Sequence, residues 1–510
     1  DIPDVNDDKD WTLYGKPALM FLVITGREDS MVMNYTAFKK FRSTDPYIPG
    51  GKRTVRPDRA CIKYCGKIKQ FYKDVPVVLA GAEAVCRIST HYDFWSDKIR
   101  KPILFDSKAD MVLFGNAEHN MLKICELLRS RHKISDIKKL NGTAYIEKDI
   151  SEIRGFKYLP EHEQIEADPE FLALHHIMIH KNQNPYNSFI LVQKVLDRHL
   201  VIHKAPGPLD TEEADEVMNA GFLKRPHPKY KQEIPIFRFV KDTVVSHRGC
   251  LNNIYDSQDI FTEGRFISSR SADNVKKEAL KFIKSKQYNK ILKIFSGPYF
   301  NHYSVHPGNR KMCSKCERLS CTLPDLCKNI KTESGVITEV MSVIDSVPNV
   351  RNNYFGGVPD IKLMLSEKEI YKDFLVNRND GNVDITVRSF SDEVRRSAGL
   401  DSSENILKDV RFLVKRAGEY RKNIKFGITV SAGLPGQSEE EAEFNLSQIE
   451  GSGAGIGNIN VFVPLPMTLL SVAHLLGKDP VSGERTEPVK STSAVRRLSE
   501  LYKKRKKSGK

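Results

Sequence analysis

The chain has no long apolar run. Its longest stretch, Ala18 to Ile24, is strand-sized, far short of the ~20 residues that cross a bilayer as a helix, so membrane spans are excluded from the reading. Tryptophan is scarce, with 2 in 510 residues, and cysteine is limited to 9. An odd number of cysteines, five of them scattered through apparent secondary structure, argues against a secreted disulfide framework and for a reducing, cytoplasmic setting. No secretory leader precedes the first strand. The chain opens at Asp1 without Met, which we read as a product that starts inside a longer protein.

What is present is enough for more than one core: 510 residues with 40% hydrophobic content predict two or more domains. Net charge is +15, part of it concentrated between Arg496 and Lys510. We read residues 481–510 as a solvated basic tail, with a nucleic-acid arm as the other possibility.

Residues 1–148 predict an α/β domain. Strands are expected at Leu19–Thr25, Val75–Gly81, Ile103–Phe105 and Met111–Gly115, and helices at Arg59–Tyr72 and Asn116–Arg129. Residues 149–238 are rich in Pro and His and read as an extended connector with a helix near Pro169–His180. From residue 239 to 480 the α/β rhythm returns. Strand candidates at 239–245, 291–295, 352–357, 383–387, 424–431 and 458–463 alternate with five helical patterns. The clearest is Ser403–Tyr420, with Ile406, Val410, Leu413 and Ala417 on one face. Such alternation predicts a parallel barrel or an open doubly wound sheet. Either would carry its site in the loops after the strands, where Cys250, Ser296-Gly297-Pro298, Arg388-Ser389 and Gly433-Leu434-Pro435-Gly436 fall.

A second group of thiols is Cys313, Cys316, Cys321 and Cys327. With Arg310, Lys311, Lys315 and Arg318 nearby to favour thiolates, the four could enclose zinc or hold an auxiliary cluster, or be reduced cysteines in a long loop. His176 and His180 stand i, i+4 on the expected helix and read as surface or internally satisfied histidines rather than ligands. The stretch His91 to Asp97 is dense in polar aromatics and fits a domain interface or a substrate cleft.

Long ordered matches carry a resemblance. They include DSMVMNYTAFKKFRSTDPYIPGG and VPVVLAGAEAVCRISTHYDFWSDKIRKPILFDSKADMVLFGNAE in the first domain, LKRPHPKY in the connector, and SHRGC, GRFISSRS, SGPYFNHY, LPDLCKN, GLPGQSEEE and PLPMT beyond it. On these the chain resembles the YgiQ-type family of radical SAM proteins over nearly its whole length. The resemblance implies a partial parallel (β/α)6 barrel behind an α/β N-terminal domain, here lacking part of the family's N-terminal stretch and so incomplete. It also implies a 4Fe–4S cluster on three cysteines of the first loop, with S-adenosylmethionine on the open iron. The implied chemistry is reductive cleavage to a 5′-deoxyadenosyl radical that abstracts hydrogen from a substrate the sequence does not name. Ser296, Gly297 and Pro298 would meet the methionyl amino group. Arg388 and Ser389 would offer a carboxylate partner and a hydroxyl. Gly433, Leu434 and Pro435 would form a ledge for adenine, or turn the chain into a helix capped by Ser438 and Glu441.

The family loop is Cys-x3-Cys-x2-Cys, followed by a Gly-Arg pair. Aligned without a gap, Cys250 takes the first cysteine position and Gly264-Arg265 the downstream pair. The other two cysteine positions then fall on Ile254 and Ser257. Iron in such clusters is held by thiolates, and Ile ligates nothing. The expectation is therefore a member of this family impaired in radical chemistry, or a scaffold or binding protein that keeps the fold.

Overall fold

The computed structural model describes residues 2–508 except 54–55, 287, 349, 351 and 421–423. A seven-stranded mixed sheet organises the first part. In spatial order its strands are Phe21–Ile24, Val77–Ala80, Met111–Leu113, Thr143–Glu147, Arg198–Ile202, Ile190–Val195 and Phe156–Tyr158. The first three are parallel, as expected for strands joined through helices. The helix Ala60–Phe71 buries Cys61, Cys65 and Ile68 against this sheet.

Three of these strands come from the stretch read as a connector. Leu191, Val192, Val195, Leu200 and Val201 are fully or almost fully buried, and the two strands form an antiparallel hairpin. The Pro and His content that suggested a connector belongs to its flanks, while this interior has ordinary strand composition. The helix near Pro169–His180 forms at Phe171–Lys181. Ile103–Phe105, expected as a strand, is a short helix from Ile103 to Ser107. Pro102 precedes its first residue and Lys108 ends it in the left-handed region, φ +57°, so start and stop residues outweigh the apolar run.

Six parallel strands follow in two groups. Thr243–Val245, Ile291–Ser296 and Asn352–Phe355 form one three-stranded sheet; Asn382–Arg388, Lys425–Ala432 and Gly455–Val461 form another. Helices Ala272–Ile283, Ser334–Asp345, Lys368–Val376, Ser403–Tyr420 and Glu439–Gly451 alternate with them. One core joins the groups, running from Val244 and Ile294 through Phe355 to Ile385, Val430 and Tyr502. Strand pairing stops between Phe355 and Asn382 among the described residues, so the architecture is mixed α/β with parallel strand–helix units and not one continuous (β/α)6 sheet.

The basic C-terminal stretch is not a solvated tail. Thr492–Ser508 is a helix lying on the last strand and on the helix Glu439–Gly451. Leu498 and Tyr502 are buried, and the Tyr502 hydroxyl accepts hydrogen bonds from Gln437 Nε2 at 3.1 Å and Asn445 Nδ2 at 2.9 Å. Four-residue spacing puts these two side chains on one face while the lysines and arginines take the other, a pattern that the charge count concealed.

Candidate functional site

The site begins where the strand Thr243–Val245 turns. Gly249 sits at φ +104°, and a Cβ there would lie 2.3 Å from the Phe266 carbonyl oxygen. Only glycine brings the two backbone segments this close. Cys250 follows, its amide donating to Gly264 O at 2.9 Å. That bond joins the backbone of Cys250 to the backbone of Gly264. The Cys250 thiol is buried, which pushes its pKa up to about 12, with Asp259 adding to the rise. It is a neutral thiol at physiological pH.

The loop interior is occupied by this chain's own side chains. Ile254 is buried. Ser257 Oγ donates to Asp259 Oδ2 at 3.0 Å, closing a local turn. Asp256, between Ile254 and Ser257, is ion-paired with Arg388 from the end of the fourth parallel strand. Asn252 Nδ2 donates to Asp360 Oδ2 at 3.2 Å, and Asn253 Nδ2 to Leu319 O at 2.9 Å. Tyr255 packs over Gly399, where a Cβ would meet its ring at 2.5 Å. Tyr299 stands close enough to feel Cys250, Asp360, Arg388 and Asp259; burial first and Cys250 next push its phenol up. Sequence reading missed Asp256, Asp360 and Tyr299, because their place in the site depends on pairings across more than forty residues.

The implied cluster does not fit this donor set. The loop supplies one protonated thiol, one aliphatic side chain and one hydroxyl engaged with a carboxylate, where a cubane needs thiolates. The residues implied for S-adenosylmethionine are dispersed. Arg388 is committed to Asp256. Ser389 is fully buried, with its Oγ on Asn445 Oδ1 at 3.2 Å. Gly433 faces Val495 of the C-terminal helix, 2.9 Å from where its Cβ would be. Leu434 is buried with Val394, Phe462 and Leu470, and Pro435 O lies 3.4 Å from Ser397 Oγ. Gly436 has φ +82° and leads into a helix capped by the Ser438 side chain. Ser296, Gly297 and Pro298 line an open space, a cleft of about 890 Å³. Gly297 admits the His247 ring, which a Cβ would meet at 2.4 Å. Burial lowers the His247 pKa to about 3, with His302 adding to the effect. Its Nε2 lies 2.9 Å from Tyr299 O, so the neutral ring donates there.

The loop holding the other four cysteines packs on the Cys250 loop. Cys321 N donates to Leu251 O at 2.8 Å, and Arg265 reaches Arg318 O at 2.7 Å and Cys321 Sγ at 3.8 Å. Cys313 and Cys321 are buried with Leu251, Phe266 and Val305. Burial raises both thiols, so the nearby cations do not hold them as thiolates. Arg318 is turned to the carbonyls of Ser320, Leu323 and Asp325 instead. Among the described residues no three His, Cys, Asp or Glu side chains form a metal-binding group. Cys316 and Cys327 remain half-buried beside them, and the zinc expectation gains no geometric support.

His176 and His180 are both buried, so neither is a surface histidine. His180 Nε2 lies 2.8 Å from Met467 O, and His175 Nδ1 lies 3.1 Å from His176 Nδ1. In the His91–Asp97 stretch, Asp93 pairs with Arg59 at 2.7 Å, and Tyr92 and Phe94 pack against the helix Leu469–Leu476. The segment is an interface between the two parts of the chain.

Fold and site together define a two-part α/β protein with its candidate site at the mouth of parallel strand–helix units. Residues 1–243 match the family described as Radical SAM N-terminal. The chain is 32% identical to a UPF0313 protein of Clostridium botulinum over 488 residues, 95% of this chain and 76% of the relative. It is 28% identical to a UPF0313 protein of Methanocella arvoryzae over 498 residues, 97% of this chain and 82% of that one. The chain belongs to the UPF0313, or YgiQ-type, family of radical SAM proteins. A more distant likeness is to the radical S-adenosylmethionine methyltransferase TsrM of Kitasatospora setae, solved with tryptophan and a SAM analogue bound. It has a TM-score of 0.48 and 10% identity, covering 91% of this chain and 67% of that one.

Proposed function

We propose that this chain is a member of its family that keeps the scaffold without the radical chemistry: a binding protein built on a radical SAM fold. The observation that carries the reading is the Asp256–Arg388 ion pair set between Ile254 and Ser257. A loop that has lost two cysteines could in principle stay open and borrow ligands. This one is closed by its own carboxylate and by a guanidinium from a different strand, and its remaining thiol is buried and neutral. Without a cluster there is no donor for the electron that reductive cleavage of S-adenosylmethionine consumes. Ser296, Gly297 and Pro298, which line the cleft, are the residues that would still meet a bound small molecule.

The test is iron and acid-labile sulfide per chain after anaerobic reconstitution, with zinc counted in parallel. The expected result is no stoichiometric iron and no visible absorption that bleaches on reduction. About four irons and four sulfides per chain, with S-adenosylmethionine cleaved in the presence of dithionite, would overturn the proposal and return the chain to the enzymes of its family.

A further inference from the structure

The 890 Å³ cleft has a charge that neither the cluster loop nor the family assignment uses. It lies at the edge strand Thr243–Val245 and is lined by the helix Ala272–Ile283, by the segment around Phe222 and by Arg27 from the first part of the chain. Most charges in its lining are matched. Glu278 pairs with Lys224 and Arg270 at 2.5 Å each. Arg27 pairs with Asp259 at 3.3 Å, and Arg248 with Glu118. Glu263 is pushed toward its neutral form by burial despite Arg27 and Arg248. Lys277 and Lys281 remain. They stand one turn apart on the same helix face, line the cleft, and make no ion pair among the described residues.

The same lining has an apolar part. Phe222 and Leu223 are 65% and 68% exposed. Val240, and Phe282 from the lysine-bearing helix, add to the apolar lining. A volume near the upper end of the ~300–1,000 Å³ range for small-molecule sites, an unmatched pair of ammonium groups and an exposed aromatic–aliphatic wall describe one kind of ligand. We propose that the cleft binds an organic phosphate: an anionic head on Lys277 and Lys281, and an aromatic or acyl body against Phe222 and Leu223. The unmatched positive charge discriminates against a sulfonium compound such as S-adenosylmethionine, although the cleft shares Ser296, Gly297 and Pro298 with the residues implied for that cofactor. It does not depend on whether the cluster loop binds iron.

The experiment titrates the full chain with 1-naphthyl phosphate, followed by fluorescence anisotropy, with 1-naphthol as the uncharged control. The phosphate should bind and the naphthol should bind markedly more weakly. Added salt should weaken the phosphate complex, because exposed charges are screened. Lys277→Glu with Lys281→Glu should reduce affinity by about tenfold or more, the equivalent of one decade in Kd. Lys277→Gln with Lys281→Gln is a milder change at exposed helix positions and should give a smaller loss in the same direction. Phe222→Ser with Leu223→Ser should weaken 1-naphthyl phosphate but leave competition by inorganic phosphate unchanged. Equal binding of 1-naphthol and its phosphate, or a charge-reversed variant with the thermal stability and affinity of the parent chain, would overturn the proposal.

Discussion

Asp256 and Arg388 show how one ion pair can alter what a loop is able to hold. Each keeps one polar atom, Asp256 Oδ1 and Arg388 Nε, that is buried and unpartnered, so removing either residue exposes an imperfectly satisfied group to a low-dielectric setting. Arg388→Ala is expected to destabilise the protein by about 1–3 kcal/mol, the cost of leaving a polar group unpaired, read as a lower urea midpoint at unchanged slope. Gly249 is a second such position. Ala there meets both an unfavourable φ and the Phe266 carbonyl, and Gly249→Ala should cost about 2–4 kcal/mol in the same measurement. The double change Ile254→Cys with Ser257→Cys restores the family's three thiols. It is expected to take up iron on anaerobic reconstitution where the parent chain does not, and failure to do so would count against the loop alignment.

The C-terminal helix makes the same point for an entire element. Its basic residues account for much of the net charge, yet Tyr502 is 0% exposed and receives two side-chain hydrogen bonds. Tyr502→Phe strands Asn445 Nδ2 and leaves Gln437 Nε2 with Ser431 O alone, and an expected loss of about 1–3 kcal/mol should appear as a lower midpoint for the core that runs through Val430. Exchanging the outward Lys503, Lys504 and Lys507 for Gln should leave that midpoint within about 0.5 kcal/mol. If nucleic acid bound through this helix, the same exchange would flatten the salt dependence of binding. The helix Ser403–Tyr420 and the six parallel strands were legible because 3.6-residue and strand-length apolar patterns are local. The hairpin Ile190–Ile202 was not. Its strands lie between Pro- and His-rich flanks, and they are held in the sheet by Thr143–Glu147 on one side and Phe156–Tyr158 on the other, both more than thirty residues away.

Across the whole molecule, the two parts meet through buried polar groups. His91, His175 and His176 lie between the first sheet and the helix Leu469–Leu476. Burial is the first cause lowering all three, and the values for His91 and His175 fall to about 3. Since these rings are held neutral in the folded protein, the unfolded chain takes up protons first as pH falls. Their contribution is fully present above the unfolded histidine value of about 6.5, and is lost progressively as pH drops from there toward about 3. Thermal midpoints measured from about pH 7.5 down to about pH 5 should therefore fall, and His175→Gln should lessen the slope. A slope unchanged by that substitution would remove His175 from the account.

The amino-acid order alone determined the family, the alternation of strands and helices, and the donor atoms available at the cluster loop. Each rests on identity and spacing within a short stretch, where local chemistry suffices. Only the tertiary structure decided that residues 156–202 complete the first sheet, that the basic end docks, that burial raises the Cys313 and Cys321 thiols, and that Lys277 and Lys281 line a cleft without an ion pair among the described residues. Those outcomes depend on burial and on partners far along the chain, and the free energy of a charge or a thiol is set by what surrounds it rather than by its neighbours in sequence.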